Sequence, residues 1–396
     1  MKICLINNLY PPYARGGAEQ VVRKTVEGLL DVGHDVVLIT TSPEGEYVWK
    51  EGNLKIYRFC PRNLFFYTEG HERGWLTRLS WHFLDMFHLG SARYIKYILE
   101  KEKPDVVHTH NLMGVGFLVP KVIRNLGIRH LHHVHDVQLV EPSGIILKSM
   151  ENDWRYTGFH IRLYTLIMKK LMGSPDVVIS PSDFLQEFYH RRGFFSGSEL
   201  VVLRNPLTLD IEERNSEIVD ETFRFLYVGQ VEAHKGVRYM IDAFLACLSS
   251  STFSMTLDVV GDGSLFSEVQ ELADNHPMMR LHGRVGRNSL PEIFRSVDMT
   301  VVPSLCYENS PTVIFESFAF GVPVLASNIE GIAELILEGE NGVTFVAGGI
   351  EDLAEKMLWC VKHRTAVREM GERTKTALVG LSRGEYIDEL LGLYGE

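Results

Sequence analysis

The sequence predicts an α/β protein of two doubly wound, parallel-sheet domains, and three observations predict it. At 396 residues the chain exceeds what one hydrophobic core ordinarily organises, so two domains of about 200 residues each are expected. Short β-branched runs alternate with longer helical patterns from end to end, as in successive βαβ units. The pattern restarts after a polar stretch at 207–222, which is where a linker belongs. With 45% hydrophobic and 23% charged residues and no low-complexity tract, the chain is expected to be ordered throughout.

Taken in order, the first half carries expected strands at 2–8, 34–41, 54–59, 105–110, 129–135, 176–180 and 200–205, with helical spacing between them. The opening MKICLINN is too short an apolar run for a signal peptide and reads as a buried first strand. The second half gives strands at 224–229, 256–261, 280–283, 299–303, 323–327 and 342–346. Residues 385–394 keep apolar positions at helical spacing after the second sheet is complete, and such a tail can cross back onto the first domain. The expected division is therefore 1–206, 207–380 and a C-terminal helix within 381–396.

Charge is distributed unevenly. Residues 1–205 hold 25 Lys and Arg against 21 Asp and Glu, and the remainder holds 15 against 30, so a net charge of −11 divides into +4 and −15. The acidic second half argues against nucleic acid, and the mildly basic first half is compatible with an anionic partner or an anionic lipid surface. Five scattered cysteines (Cys4, Cys60, Cys247, Cys306 and Cys360) without a CxxC pair fit reduced thiols in a cytoplasm and offer no zinc signature. No run approaches the ~20 apolar residues of a membrane span. A soluble or peripheral protein is expected.

The most informative window is 303–323, PSLCYENSPTVIFESFAFGVP. Ser310 followed by Pro311 reads as a helix start, with Ser310 as N-cap and Pro311 at the first helical position. The next amides, on Thr312 and Val313, carry the positive end of the helix dipole and suit a diphosphate, although the same turn exists in α/β units without a ligand. Glu308 precedes this helix start and Glu316 lies inside it. On one helix they would be roughly 12 Å apart, beyond the ~5–9.5 Å of a glycosidase pair. That spacing suits two separate jobs along an elongated ligand, hydroxyls of a sugar at Glu308 and of a ribose at Glu316; solvated or ion-paired glutamates are the plainer alternative.

In VGQVEAHKG, at 228–236, Lys235 falls at the start of a helix, where a cation is unfavourable unless an anion offsets it; an ordinary surface lysine is the alternative. In YPPYARGGAE, at 10–19, Gly16 and Gly17 allow close backbone approach to a ligand or simply a tight strand-to-helix turn, and GxGxxG is absent. The histidines of HTHN, at 108–111, and HHVHD, at 132–136, sit at the carboxyl ends of two strands, facing the expected ligand crevice. Strand alternation puts His133 and His135 on one face and His132 on the other, which favours crevice or core lining over a metal site. No Asp-x-Asp occurs, so the usual carboxylate pair for a donor-bound divalent ion is missing.

Together, YPPYARGGAE, HTHN, VHD, VGQVEAHKG, VVGDG, LHGRV and ENSPTVIFESFAFGVPV, in that order, resemble the family 4 retaining glycosyltransferases, whose Glu-x7-Glu motif the last window matches. The resemblance implies the GT-B fold, two facing Rossmann-like domains with an interdomain cleft, the first for the acceptor and the second for a nucleotide-sugar donor. It implies that Lys235 binds the diphosphate, Glu316 the ribose, and Glu308 with the turn of Asn309, Ser310, Thr312 and Val313 the sugar hydroxyls and phosphate. His135 is implied near the transferred sugar. Gly283, Arg284 and Val285 would border the base, and Gly16 and Gly17 would close over the donor. The family usually has Arg where Gln230 stands; Gln carries no charge and no bidentate fork, and Arg15 is a candidate substitute.

The implied activity is metal-independent, retaining transfer of a sugar to a glycan, lipid-linked or small-molecule hydroxyl acceptor, with no cofactor and no nucleic acid. Localisation is expected to be cytoplasmic, with peripheral membrane contact through the first domain open. There the span 65–87, FFYTEGHERGWLTRLSWHFLDMF, suits an acceptor site or a membrane surface, with a buried helix as the alternative. The rival reading is a non-catalytic nucleotide-sugar-binding or partner subunit of the same fold. A nicotinamide enzyme is disfavoured because the loop at 261–266 lacks the third glycine.

Overall fold

A computed structural model describes residues 1–13, 16–209 and 221–395. Two compact units emerge: Met1–Gly144 with Asp153–Pro206 and Leu381–Glu396, and Ile145–Asn152 with Leu207–Gly380.

Among the described residues the first unit is built on eight strands: β1 (Lys2–Ile6), β2 (Asp35–Thr41), β3 (Tyr47–Glu51), β4 (Leu54–Phe59), β5 (Val106–Thr109), β6 (Arg129–His133), β7 (Val177–Ser180) and β8 (Glu199–Val202). Their order is β3-β4-β2-β1-β5-β6-β7-β8. All pairings are parallel except β3 on β4. Central β1 is covered on both faces, and Ile3, Cys4, Leu5 and Ile6 are fully buried, which is why it reads as an unbroken apolar run. The strand expected at 2–8 stops at Ile6 because Asn7 and Asn8 turn the chain with their own side chains. Asn7 Nδ2 donates to the Leu9 carbonyl at 2.6 Å, and the Leu9 amide donates to Asn8 Oδ1 at 2.9 Å.

Strand β3 was not expected. Every one of its residues is exposed, so no buried alternation marks it, and only pairing with β4 defines it. The C-terminal helix Arg383–Tyr394 opens with a Ser382–Glu385 capping box and packs on the helix Gly17–Asp31. Tyr386, Ile387, Leu390 and Tyr394 join the core of the first sheet there, and a Cβ on Gly28 would meet Ile387 Cγ1 at 2.5 Å.

The described residues of the second unit form six parallel strands, β9 (Phe223–Val228), β10 (Met255–Val260), β11 (Met279–Gly283), β12 (Met299–Val302), β13 (Val324–Ser327) and β14 (Gly342–Phe345), in the order β11-β10-β9-β12-β13-β14. The chain leaves β9 toward β10 on one side and returns through β12 on the other. That reversal opens a crevice beyond the carboxyl ends of β9 and β12, the usual ligand position in such sheets.

Residues 145–152, expected in the first domain, belong to this second unit. The Lys148 amide donates to the Leu305 carbonyl at 2.9 Å and the Tyr307 amide to the Ile146 carbonyl at 3.0 Å. Side chains fasten the same clip, with Lys148 Nζ 2.5 Å from Glu330 Oε1 and the Tyr307 hydroxyl bonded to Glu151. Of the expected linker, 210–220 lie outside the described residues.

Candidate functional site

In the second unit the carboxyl end of β9 leads into a short 3-10 turn, Ala233–Lys235, and the following helix, Val237–Ser250, starts after Gly236. Lys235 therefore closes the 3-10 turn and stands two residues before the α-helix it was expected to open. Gly236 has φ +72°, and a Cβ there would stand 1.8 Å from the Pro303 carbonyl oxygen. Only glycine lets this loop lie against the loop after β12. The Leu305 amide, donating to the His234 carbonyl at 2.9 Å, joins the two loops.

Across that seam Lys235 Nζ reaches Glu308 Oε1 at 2.5 Å, and the same oxygen accepts from the Ser304 hydroxyl at 2.6 Å. Burial, the largest single influence, pulls the Lys235 ammonium down, but the Glu308 charge, the Cys306 thiol and the hydrogen bond to Glu308 together outweigh it, and the net shift is upward. The anion that offsets Lys235 is thus Glu308 itself. Gly331 fixes Glu308 from the other side: its φ is +80°, and a Cβ would stand 1.6 Å from the Glu308 carbonyl oxygen.

The helix expected to start at Pro311 runs Thr312–Ala319, with Pro311 as its extended cap residue and Ser310 in a left-handed conformation at φ +61°. Ser310 is therefore not the N-cap. Proline's fixed φ suits the cap at −63°, and its missing amide would be unbonded in the first turn in any case. Asn309, Thr312 and Val313 are half-buried, so the first-turn amides lie at the crevice wall. Asn309 Oδ1 is buried with no hydrogen-bond partner among the described residues.

Glu308 precedes this helix and Glu316 lies within it, so the two do not share one helix. Glu316 is only 4% exposed, and its Oε1 is 2.7 Å from Arg287 Nη2 and accepts from the Thr208 hydroxyl at 2.5 Å. Ser304 and Arg287 are absent from the sequence reading. Arg287 lies in GRVGRNS, but its pairing 29 residues on has no local signature. Gln230 is exposed, and its carbonyl accepts from the Tyr227 hydroxyl at 2.6 Å. Arg284 is exposed and Val285 half-buried just beyond β11.

In the first unit the Gly16 amide donates to Glu19 Oε2 at 2.9 Å in a capping box, and Gly17 begins the helix. Glu19 therefore already holds one of the amides expected to face a ligand. Arg15 lies outside the described residues.

Strand alternation sorts the histidines. On one face the rings of His108 and His110 lie tilted at 4.2 Å, those of His133 and His135 stack at 4.3 Å, and His110 Nδ1 is 2.9 Å from His135 Nε2. His108 Nδ1 meets the Tyr394 hydroxyl of the C-terminal helix at 2.8 Å. On the other face His130 and His132 share the Thr109 hydroxyl at 2.8 and 2.9 Å. Burial holds these rings neutral: His135 is pushed down to about 3, with the His132 charge a smaller cause, and His110 and His133 are well below the usual range. Asp136 beside them is pushed up to about 6 by burial. Among the described residues, His108, His110 and His133 bring ligand-type nitrogens within 4.8 Å of one another, the set able to approach a metal.

Comparison with known proteins adds the family. The family described as Glycosyltransferase Family 4 matches residues 15–211, and that described as Glycosyl transferases group 1 matches residues 222–363. An uncharacterized 42.6 kDa protein in the cps region of Klebsiella pneumoniae is 26% identical over 342 residues, covering 85% of this chain and 87% of that protein. Sucrose-phosphate synthase from Thermosynechococcus elongatus superposes with a TM-score of 0.76 at 19% identity, over 99% of this chain and 98% of that one. Anabaena HepE in complex with UDP superposes with a TM-score of 0.70 at 16% identity, over 100% of both chains. At these identities the two structures show the shared fold.

Proposed function

This chain belongs to glycosyltransferase family 4, and on that premise we propose that it transfers a sugar from a nucleotide-diphosphate donor to a hydroxyl acceptor, with retention and without a metal ion. The observation that carries the reading is the Lys235–Glu308 pair at the switch point of the second sheet, next to the first turn of the helix Thr312–Ala319. An ammonium has three donors, so Lys235 can keep Glu308 and still take a phosphate oxygen.

Breaking a sugar–diphosphate bond leaves negative charge on the β-phosphate. In this reading Lys235 and the amides of Thr312 and Val313 stabilise that charge electrostatically. Glu308 and Asn309 take sugar hydroxyls, and the Glu316 carboxylate, steadied by Arg287 and Thr208, takes the ribose. Arg284 and Val285 border the base, and Gln230 stands where the family's usual arginine would face a phosphate. For the first unit the reading assigns Gly17 and the Gly16 turn to the donor and His135, held neutral by burial, to the transferred sugar. UDP in the Anabaena HepE complex makes a uridine donor the first to try. A glycan, lipid-linked or small-molecule acceptor, a cytoplasmic location and peripheral membrane contact through the first unit complete the proposal.

The exposed Gln230 favours one second reading, a non-catalytic nucleotide-sugar-binding or partner subunit. A melting-temperature screen against UDP, GDP, ADP, CDP and NAD, with magnesium or with EDTA, tests donor binding. One nucleoside diphosphate should stabilise the wild type equally in both buffers and fail to stabilise Glu316→Ala. Absence of any shift at millimolar nucleotide contradicts the proposed site.

A further inference from the structure

Large apolar side chains on the first unit's surface are concentrated in two short helical stretches. In the helix Trp75–Met86, Trp81, Asp85 and Met86 face inward, while Trp75, Leu76, Leu79 and Phe83 point to solvent, Trp75 at 67% exposure and Phe83 at 59%. Such a helix has its anchoring face and a second apolar face on the water side, which folding of the unit does not require. The stretch Trp154–Met172 repeats the arrangement. Ile161, Met168 and Met172 are buried, whereas Trp154 (72%), Phe159 (77%), Leu163 and Leu166 are exposed.

Charge separates this surface from an ordinary one. Residues 74–84 and 154–175 contain no Asp or Glu, while exposed Arg78, Arg155, Arg162 and Lys170 flank the apolar side chains; Arg73, just before the first stretch, is paired with Glu69 at 3.3 Å. One hydrogen-bonded relay joins the two helices: the Asp85 carboxylate accepts from the Gly114 amide at 3.0 Å, the adjoining Met113 sulfur accepts from the Gln138 side-chain amide at 3.2 Å, and the Gln138 carbonyl accepts from the Tyr164 hydroxyl at 2.9 Å.

We propose that these two stretches together form a docking face for an anionic lipid bilayer, the aromatic and leucine side chains entering the headgroup boundary and the arginines pairing with lipid phosphates. The inference deepens the peripheral-contact part of the proposed function and is independent of the donor site. Aromatic and Leu side chains beside Arg and Lys, without acids, are the composition of interfacial helices. A second copy of the chain fits this face less well, since the face carries more cations than acids and a two-fold interface would set Arg78, Arg155, Arg162 and Lys170 against their own copies.

Vesicle co-sedimentation of the full chain tests the proposal, with phosphatidylglycerol/phosphatidylcholine vesicles compared with pure phosphatidylcholine. The expected result is sedimentation with the anionic vesicles only, weakened by raising salt from about 0.1 to 0.5 M. Trp75→Ser with Phe83→Ser, and separately Trp154→Ser with Phe159→Ser, should each lower the bound fraction at least tenfold. All four side chains are exposed, so the melting temperature should not change. No sedimentation of the wild type, or undiminished sedimentation of the Trp154/Phe159 variant, overturns the two-helix face. So does a dimer in analytical ultracentrifugation that these substitutions dissociate. The nucleotide-dependent melting shift, measured without vesicles, should be unaltered in the variants. Failure of the docking face is thereby distinguished from failure of the donor site.

Discussion

Replacing Lys235 by Met separates its two roles, holding Glu308 and holding a phosphate. The substitution keeps most of the side-chain volume and removes the 2.5 Å bond to Glu308, leaving Ser304 on that carboxylate. Exposed ion pairs contribute about 0–1 kcal/mol, and stripping one partner from a fully buried pair costs about 3–5 kcal/mol. Lys235 and Glu308 are 26% and 13% exposed, between those limits, so about 2 kcal/mol is expected. For a unit of this size that is a fall in melting temperature of roughly 4–8 °C. A charge-assisted bond to a diphosphate is worth about 1.5–3 kcal/mol, so the Kd for the bound nucleotide should rise roughly 10- to 150-fold. Calorimetric melting and titration read the two effects, and Lys235→Met with Glu308→Gln separates them. Stability should return to within about 1 kcal/mol of wild type, because no unpaired charge is left, while nucleotide binding stays weak. If the double variant is as unstable as the two single losses combined, or if Lys235→Met binds nucleotide normally, the reasoning fails.

Gly236→Ala should cost at least about 2 kcal/mol in urea unfolding, from the left-handed backbone and the clash with Pro303, whereas Gly339→Ala, at φ +75° in open space, should cost only about 1 kcal/mol. Ile387→Ala should destabilise the first unit by about 2–5 kcal/mol, since this side chain of the C-terminal helix is buried against Gly28. Acid should unfold the first unit early. His108, His132 and His135 fall to about 3 in the folded state, so the unfolded chain binds more protons, and stability present above about pH 6.5 is lost as pH falls. Each ring contributes a loss of about 2 kcal/mol by pH 5, and an unfolding free energy flat from pH 7 to 5 would contradict their neutral burial.

Much of the fold was legible because parallel strands buried on both faces leave continuous apolar runs. β1, β9 and β10 are such strands, and each lies within two residues of its expected ends. Exposed β3 had no such mark, and the clip at 145–152 escaped because its partners, Leu305 and Tyr307, are distant in sequence. In the site, Lys235, Glu308 and Glu316 were visible through local motifs. What the motifs could not carry was pairing: Lys235 with Glu308, Arg287 and Thr208 with Glu316, and Tyr394 with His108 are all set by how loops meet. Ser310 misled because Ser-Pro usually opens a helix one residue earlier; here Ser310 takes a left-handed turn and Pro311 becomes the cap.

The central claim is that the Lys235 site breaks a sugar–diphosphate bond without metal. Release of nucleoside diphosphate should be followed from a panel of nucleotide sugars, first UDP-glucose, in EDTA, with and without a mixed pool of glycan and lipid-linked acceptors. The account predicts release by the wild type from one nucleotide class, unaffected by EDTA and reduced at least a hundredfold in Lys235→Met. Binding of a nucleotide diphosphate with no release from any donor, in EDTA or in magnesium, would contradict it and identify the chain as a binding subunit.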